Sequence, residues 1–99
     1  MSMNDDIKKY GVKMLYNGKL YPANWVQNTD SYNHYLYQLH HFIKQQSYKR
    51  NEQRYKEQGI EQKLILLPVQ CHLDLHNCIS DFEQKWKIKR SELLYGARF

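Results

Sequence analysis

Two short runs of β-prone residues lie near the start of the chain, and a turn signal separates them. Residues 12–22 read VKMLYNGKLYP, with Asn17 and Gly18 between the two runs. An Asn-Gly pair in this position is typical of a β-hairpin closed by a type I′ turn. The preceding residues 1–11 are mostly polar and contain no apolar stretch of the kind found in a secretory signal. We therefore expect residues 1–11 to be flexible and residues 12–22 to form a hairpin.

The middle of the chain predicts two strands, with a charged excursion between them and a helix after the second. The aromatic run Tyr35–Ile43 (YLYQLHHFI) predicts a strand. The charged stretch Ser47–Gln58 predicts a solvated helix that Gly59 ends, with Glu52 and Lys56 spaced for an i,i+4 ion pair. The apolar run Gln62–Leu67 predicts a short strand. Pro68 fits the first position of a helix that continues to about Cys78.

The last third of the chain predicts further short helices. Ser80-Asp81-Phe82-Glu83 has the form of a capping box and predicts a helix to about Lys87. Residues 89–95 predict a last helical turn closed by Gly96. Between the hairpin and the first central strand, residues 23–34 are rich in turn formers, and we expect Trp25 and Val26 to anchor them to the core. The whole chain of 99 residues is predicted to be a single small α+β domain.

Composition narrows the possible classes. No apolar run approaches the roughly 20 residues of a membrane helix. Two cysteines exclude a disulfide scaffold and a zinc site made of four cysteines. The formal net charge of +5, from 15 basic and 10 acidic residues, weakly favours a polyanionic partner.

Histidine gives the sharpest chemical signal, because four of the five histidines fall in two clusters. His72 and His76 are four residues apart on the predicted helix, which places both imidazoles on one face, where they can share a metal ion. A polar helix face is the plainer interpretation of this pair. Cys71 and Cys78 fall on a different face with Leu75, and we interpret both cysteines as small buried core residues.

The second cluster, His40-His41, lies in the first central strand. Neighbouring residues of a strand point to opposite faces, so both rings can serve one site only if the strand ends or twists there. One ring would then complete a metal site and the other would act as a base. Otherwise the two histidines are structural or surface residues, one on each face.

The segment LHHFI, the charged excursion and KLILLPVQCHLDLHN together resemble the HNH nuclease motif, the ββα-metal fold. The likeness is to the His-His variety found in colicin-type DNases and small phage HNH proteins. It covers residues 39–77 well, and the core motif is expected over residues 35–78. It implies an α+β domain with a ββα-metal core, an N-terminal hairpin and short C-terminal helices.

The resemblance implies roles for individual residues. His40, His72 and His76 match the positions that bind one divalent metal ion, which could be Mg, Mn, Ni or Zn. His41 matches the general base that takes a proton from water during phosphodiester hydrolysis. The family's middle Asn is replaced by Lys63, so the loop of the base is braced by Gln62, by Lys63 or by a backbone carbonyl, or it lacks this bracing contact. Asp74 is expected to face solvent.

The implied partner is DNA, in the cytoplasm of the cell, or of the host if the gene belongs to a phage or mobile element. The sequence is also compatible with a homodimer, or with a complex with a phage or host protein. Two other functions remain: a metal-binding adaptor or inhibitor that has lost catalysis, and a toxin nuclease with an immunity partner, which the short N-terminus disfavours. The candidate DNA contacts are basic residues of the excursion and of the C-terminal region: Lys44, Lys49, Arg50, Arg54, Lys85, Lys87, Lys89 and Arg90.

Overall fold

The computed structural model describes residues 3–96 of the chain. They form a small α+β domain, as the sequence predicts. Its strands are β1 (Val12–Tyr16), β2 (Lys19–Pro22), β3 (Tyr37–His41) and β4 (Leu64–Pro68). Its helices are α1 (Met3–Tyr10), α2 (Gln45–Glu57), α3 (Val69–His76), α4 (Phe82–Trp86) and α5 (Arg90–Leu93).

The four strands form one mixed sheet in the order β2-β1-β4-β3. β1 pairs antiparallel with β2 and parallel with β4, and β4 pairs antiparallel with β3. Asn17 and Gly18 have φ angles of 49° and 79°. A type I′ turn requires positive φ at both central residues, so the predicted hairpin is confirmed. β3 is an edge strand of the sheet, as is β2.

β4 is buried on both faces, which explains its continuous apolar run. Ile65 and Leu67 belong to a first core, formed with α3, α4 and α5. Leu64 and Leu66 belong to a second core, on the other face, which includes Ile7 of α1. Residues directly opposite each other on paired strands share a face, so the register of β4 also assigns each β3 side chain to one of the two cores.

The first residues of the chain correct one prediction. Residues 3–10 form α1, although the sequence predicted flexibility over residues 1–11; residues 1 and 2 lie outside the described part. Ile7 is buried in the second core, and the side chain of Asp6 is buried as well. A terminal segment becomes ordered when it is tied to the domain, and these two residues provide that attachment.

The loop after the hairpin confirms half of its prediction. Val26 is 4% exposed and packs in the second core. Trp25 is 52% exposed, so the prediction that it anchors the loop is wrong. Val26 N donates to Ala23 O at 3.0 Å and so closes a turn, from which Val26 reaches the second core and Trp25 does not.

α2 and α3 agree with the predicted elements within a few residues. α2 starts before the predicted Ser47 and ends ahead of Gly59, whose φ is 72°. Glu52 and Lys56 form the expected ion pair at 3.1 Å. Pro68 is the last residue of β4 and immediately precedes α3. Within residues 3–96, no helix is long and apolar enough to cross a membrane.

The C-terminal helices are shorter than predicted. The N-cap of α4 is Asp81 instead of Ser80, and it makes no side-chain cap bond, so the predicted capping box is wrong. Glu83, the expected partner of Ser80, accepts a hydrogen bond from the backbone N–H of Arg90. α5 ends at Leu93, and Leu94 is extended, so the predicted helical turn does not reach Gly96.

Candidate metal centre

Three histidine side chains converge on one face of the sheet. His40 lies opposite Ile65 of β4 and therefore on the face of the first core. α3 packs against β3 and β4 and brings His72 and His76, one turn apart, to the same place. One ring nitrogen from each of the three residues lies within 4.8 Å of the other two. The three predicted metal ligands are thus close enough to hold a metal ion.

Hydrogen bonds orient two of these rings. His40 Nε2–H donates to the carbonyl oxygen of Leu93 at 2.7 Å, and His72 Nδ1–H donates to Gln38 Oε1 at 2.6 Å. Each bond fixes a tautomer and leaves the other ring nitrogen, Nδ1 of His40 and Nε2 of His72, unprotonated. His72 Nε2 accepts a hydrogen bond from His76 Nε2–H. Metal-binding histidines usually donate their second N–H to a neighbouring acceptor in this way.

The third ring completes the set. The Nε2 atoms of His72 and His76 are 3.0 Å apart. Two ligands of a tetrahedral site with metal–nitrogen bonds of about 2.05 Å are separated by about 3.3 Å. The His72–His76 pair therefore already has nearly the spacing that a tetrahedral ion requires, and the two distances from His40 to this pair are within 4.8 Å.

Burial favours the neutral, metal-binding form of the His40 and His72 imidazoles. His40 is 4% exposed, and burial lowers its pKa from 6.5 to about 4. Burial, together with the neighbouring His76, lowers the pKa of His72 as well. His76 is exposed, so the cluster opens to solvent on the side of α3. Metal binding at neutral pH then displaces no proton from His40.

His41 is not part of the cluster. It lies opposite Leu64, so its ring occupies the face of the second core. There its Nε2 is 2.9 Å from Asp6 Oδ2 of α1, and Gln45 Nε2 donates to the same oxygen at 3.1 Å. β3 continues through the doublet, and the alternation of a regular strand separates the two rings.

Gln62, one of the two bracing candidates, holds the segment that follows the doublet. Its Oε1 accepts from Ile43 N at 2.8 Å, and its Nε2 donates to Ile43 O at 2.7 Å. The amide is buried and fully bonded. Lys63, at the position of the family's Asn, places its Nζ 4.3 Å from the ring centroid of Phe42. The hydrogen bonds to the backbone of Ile43 are therefore made by Gln62, the residue before the position of the family's Asn.

Asp74 faces the interior, and the prediction that it faces solvent is wrong. It is 5% exposed and accepts hydrogen bonds from Gln70 and Trp86, and it pairs with Lys85 Nζ at 2.8 Å. These donors, Lys85 first, lower its pKa from 3.8 to about 2. The residue fastens α3 to α4 and is not a ligand. A polar residue between two histidines gave no sequence signal for this contact.

The two cysteines divide between core and surface. Cys71 is buried, as predicted, and burial raises its thiol pKa to about 12, so it is a protonated thiol at neutral pH. Cys78 is exposed, so the prediction that it is a core residue is wrong. It has a φ of 54° just beyond the end of α3, where the chain turns away from the core.

The predicted DNA contacts differ in their surroundings. Lys44 and Arg50 line a cleft beside α2, whereas Lys85 is paired with Asp74. The Arg90 guanidinium donates to the carbonyl oxygen of Leu75 and to Cys78 Sγ. The remaining candidates lie on exposed positions of α2 and of the C-terminal region: Lys49, Arg54, Lys87 and Lys89.

Comparisons with family models, curated proteins and solved structures return no match to this chain.

Proposed function

We propose that the protein is a metal-dependent DNA endonuclease that hydrolyses phosphodiester bonds, with one divalent ion held by His40, His72 and His76. The single observation that carries the proposal is the convergence of the three ligand nitrogens within 4.8 Å. A surface histidine pair would need neither a third ring from another element nor the acceptors that orient two of the rings.

The order of elements also supports the proposal. β3 and β4 are antiparallel, and α3 follows β4 without a loop. Two strands and a helix that enclose a metal are what the HNH resemblance implies. In this chain the connection between the strands is long and contains α2.

The ligand set indicates the kind of ion and its use. Three imidazoles suit Zn, Ni, Fe or Mn better than Mg, which prefers oxygen ligands. Three neutral ligands also leave coordination positions open, as catalytic sites do. A divalent ion there supplies Lewis-acid stabilisation of a phosphoryl oxygen and lowers the pKa of water.

The proposal gives the role of general base to His41. β3 is an edge strand, so its two faces meet at the outer edge of the sheet. Because His40 and His41 occupy opposite faces of β3, His41 can act on the same phosphodiester only if the bond that is cut lies at this outer edge. Asp6 holds one ring nitrogen of His41 and leaves the second for a proton, as the carboxylate does in other His-carboxylate pairs.

A second function, a metal-binding module without catalysis, is favoured by one observation. The His41 side chain is only 12% exposed and contacts α1 rather than the cluster. In this alternative the His41–Asp6 pair attaches α1 to the sheet, and the metal centre stabilises the fold for binding a nucleic acid or a protein.

Cleavage of supercoiled plasmid across Mg, Mn, Ni and Zn distinguishes the two functions. The samples are wild type, His41→Ala, His72→Ala and the matched control His34→Ala, which removes an exposed histidine from a loop. The nuclease proposal expects cutting by wild type and the control, and none by the other two. Bound metal without cutting by wild type supports the non-catalytic module. Full activity of His41→Ala would remove that residue as the base.

A further inference from the structure

A cleft of about 380 Å³ lies between the start of α2 and the segment that follows α5. Its floor is formed by Ile43 and the ring of Tyr55, and Tyr95 closes one side. Lys44 and Arg50 line the cleft and are exposed. The cleft is large enough for one nucleotide unit, at the lower end of the range of ligand pockets.

The charges of this cleft are all of one sign. No carboxylate is found among the described residues that line it. Within residues 3–96, neither Lys44 nor Arg50 has an ion-pair partner, whereas Lys9, Lys56 and Lys85 are each paired with a carboxylate. Two unpaired cations at a concave site attract an anion, and a guanidinium beside an ammonium suits a phosphate group.

The cleft is near His40, one ligand of the candidate metal centre, because the segments that line the cleft directly follow His40 and the residue that hydrogen-bonds it. Leu93 accepts the hydrogen bond of His40, and two residues later Tyr95 N donates to Phe42 O at 2.9 Å. Ile43, in the floor of the cleft, follows His40 by three residues. Three extended residues span at most about 11 Å between Cα atoms.

We propose that this cleft binds a backbone phosphate of the DNA strand whose phosphodiester bond lies at the metal centre. The inference rests on the proposed function and names its second contact with the substrate. One strand of DNA advances about 3.4 Å per nucleotide along the helix axis, so a separation of about 11 Å, the reach between the Cα atoms of His40 and Ile43, corresponds to about three nucleotides.

The test is fluorescence anisotropy of a labelled single-stranded oligonucleotide, measured with chelator present so that no metal-dependent cleavage occurs. The double variant Lys44→Gln/Arg50→Gln is compared with Lys8→Gln/Lys19→Gln, which removes the same charge from exposed positions outside the cleft. If each cleft cation neutralises one phosphate, the slope of log affinity against log salt flattens by about 1.4. This corresponds to binding about 25-fold weaker at about 0.1 M salt.

If both double variants lose the same affinity for the oligonucleotide, the proposal that the cleft binds a phosphate is wrong, because the effect then follows net charge alone. Circular dichroism and metal binding must be unchanged in Lys44→Gln/Arg50→Gln, since the cations are exposed and remote from the ligand nitrogens. Competition with inorganic phosphate identifies the anion. If inorganic phosphate displaces the oligonucleotide at an equal concentration of phosphate groups, the cleft binds a free anion. The proposal that it binds a DNA strand would then be wrong.

A failure of the cleft proposal can be distinguished from a failure of the proposed nuclease function. If wild type cuts plasmid but the cleft variant binds DNA normally, only the cleft assignment fails. If wild type never cuts but the cleft variant alone loses binding, the nuclease proposal fails and the phosphate site stands.

Discussion

Acidification should destabilise the metal-free protein through His40. In the folded protein burial lowers the pKa of this ring to about 4, whereas an unfolded histidine titrates near 6.5. Between these two pH values only the unfolded chain takes up the proton, so the free energy of unfolding decreases as the pH falls from 6.5 to 4. The pKa difference corresponds to a loss of about 3 kcal/mol.

Urea unfolding at pH 7, 5.5 and 4, with chelator present, measures this loss. The comparison is His40→Gln, whose amide can still donate to Leu93 O but does not titrate. Other groups titrate equally in both proteins, so the difference between their pH profiles isolates His40. With a slope of about 1–3 kcal/mol per molar urea, the midpoint of wild type should move about 1–3 M more than that of the variant.

Equal pH profiles for the two proteins would refute the reasoning. They would mean that the ring accepts a proton in the folded protein at its ordinary pKa, which requires solvent access. His40 would then not be the buried, neutral imidazole on which the metal centre depends.

Three further substitutions test other contacts. Gln38→Leu should weaken zinc affinity about 10- to 100-fold in a competition titration, because it removes the acceptor that orients one ligand. Gln62→Leu should lower the free energy of unfolding by about 2–3 kcal/mol in urea, since both backbone groups of Ile43 lose their buried partner. Gly18→Ala should lower the melting temperature, because its Cβ would lie 2.6 Å from Lys87 O at a positive φ; an unchanged value in any of the three would reject that contact.

The sequence predicted the parts of the fold that depend on local pattern. The hairpin follows from its Asn-Gly turn, and β4 follows from a run of apolar residues that is buried on both faces. His72 and His76 could be placed together because helical spacing alone sets their relation. The His40-His41 doublet offered one further ring to the site, and only the family resemblance selected His40, since no local rule brings a strand residue to a helix 32 positions later.

The features of the fold that the sequence could not predict depend on contacts between residues far apart in the chain. α1 is held by Ile7 and by the pairing of Asp6 with His41, 35 residues away. Asp74 is buried where it contacts Trp86 and Lys85 of α4. The sequence pattern of α3 does not reveal these contacts. In each case a polar side chain that reads as solvated in the sequence is buried because a distant donor or acceptor satisfies it.

Direct measurement of metal binding tests the central claim, that three imidazoles hold one divalent ion. The experiment is equilibrium dialysis of wild type, His40→Gln, His76→Ala and the control His34→Ala against Zn and Ni at pH 7.5. The account predicts one ion per chain for wild type and the control, and binding weakened by orders of magnitude in the other two. No saturable binding by wild type, or equal binding by all four proteins, would contradict it.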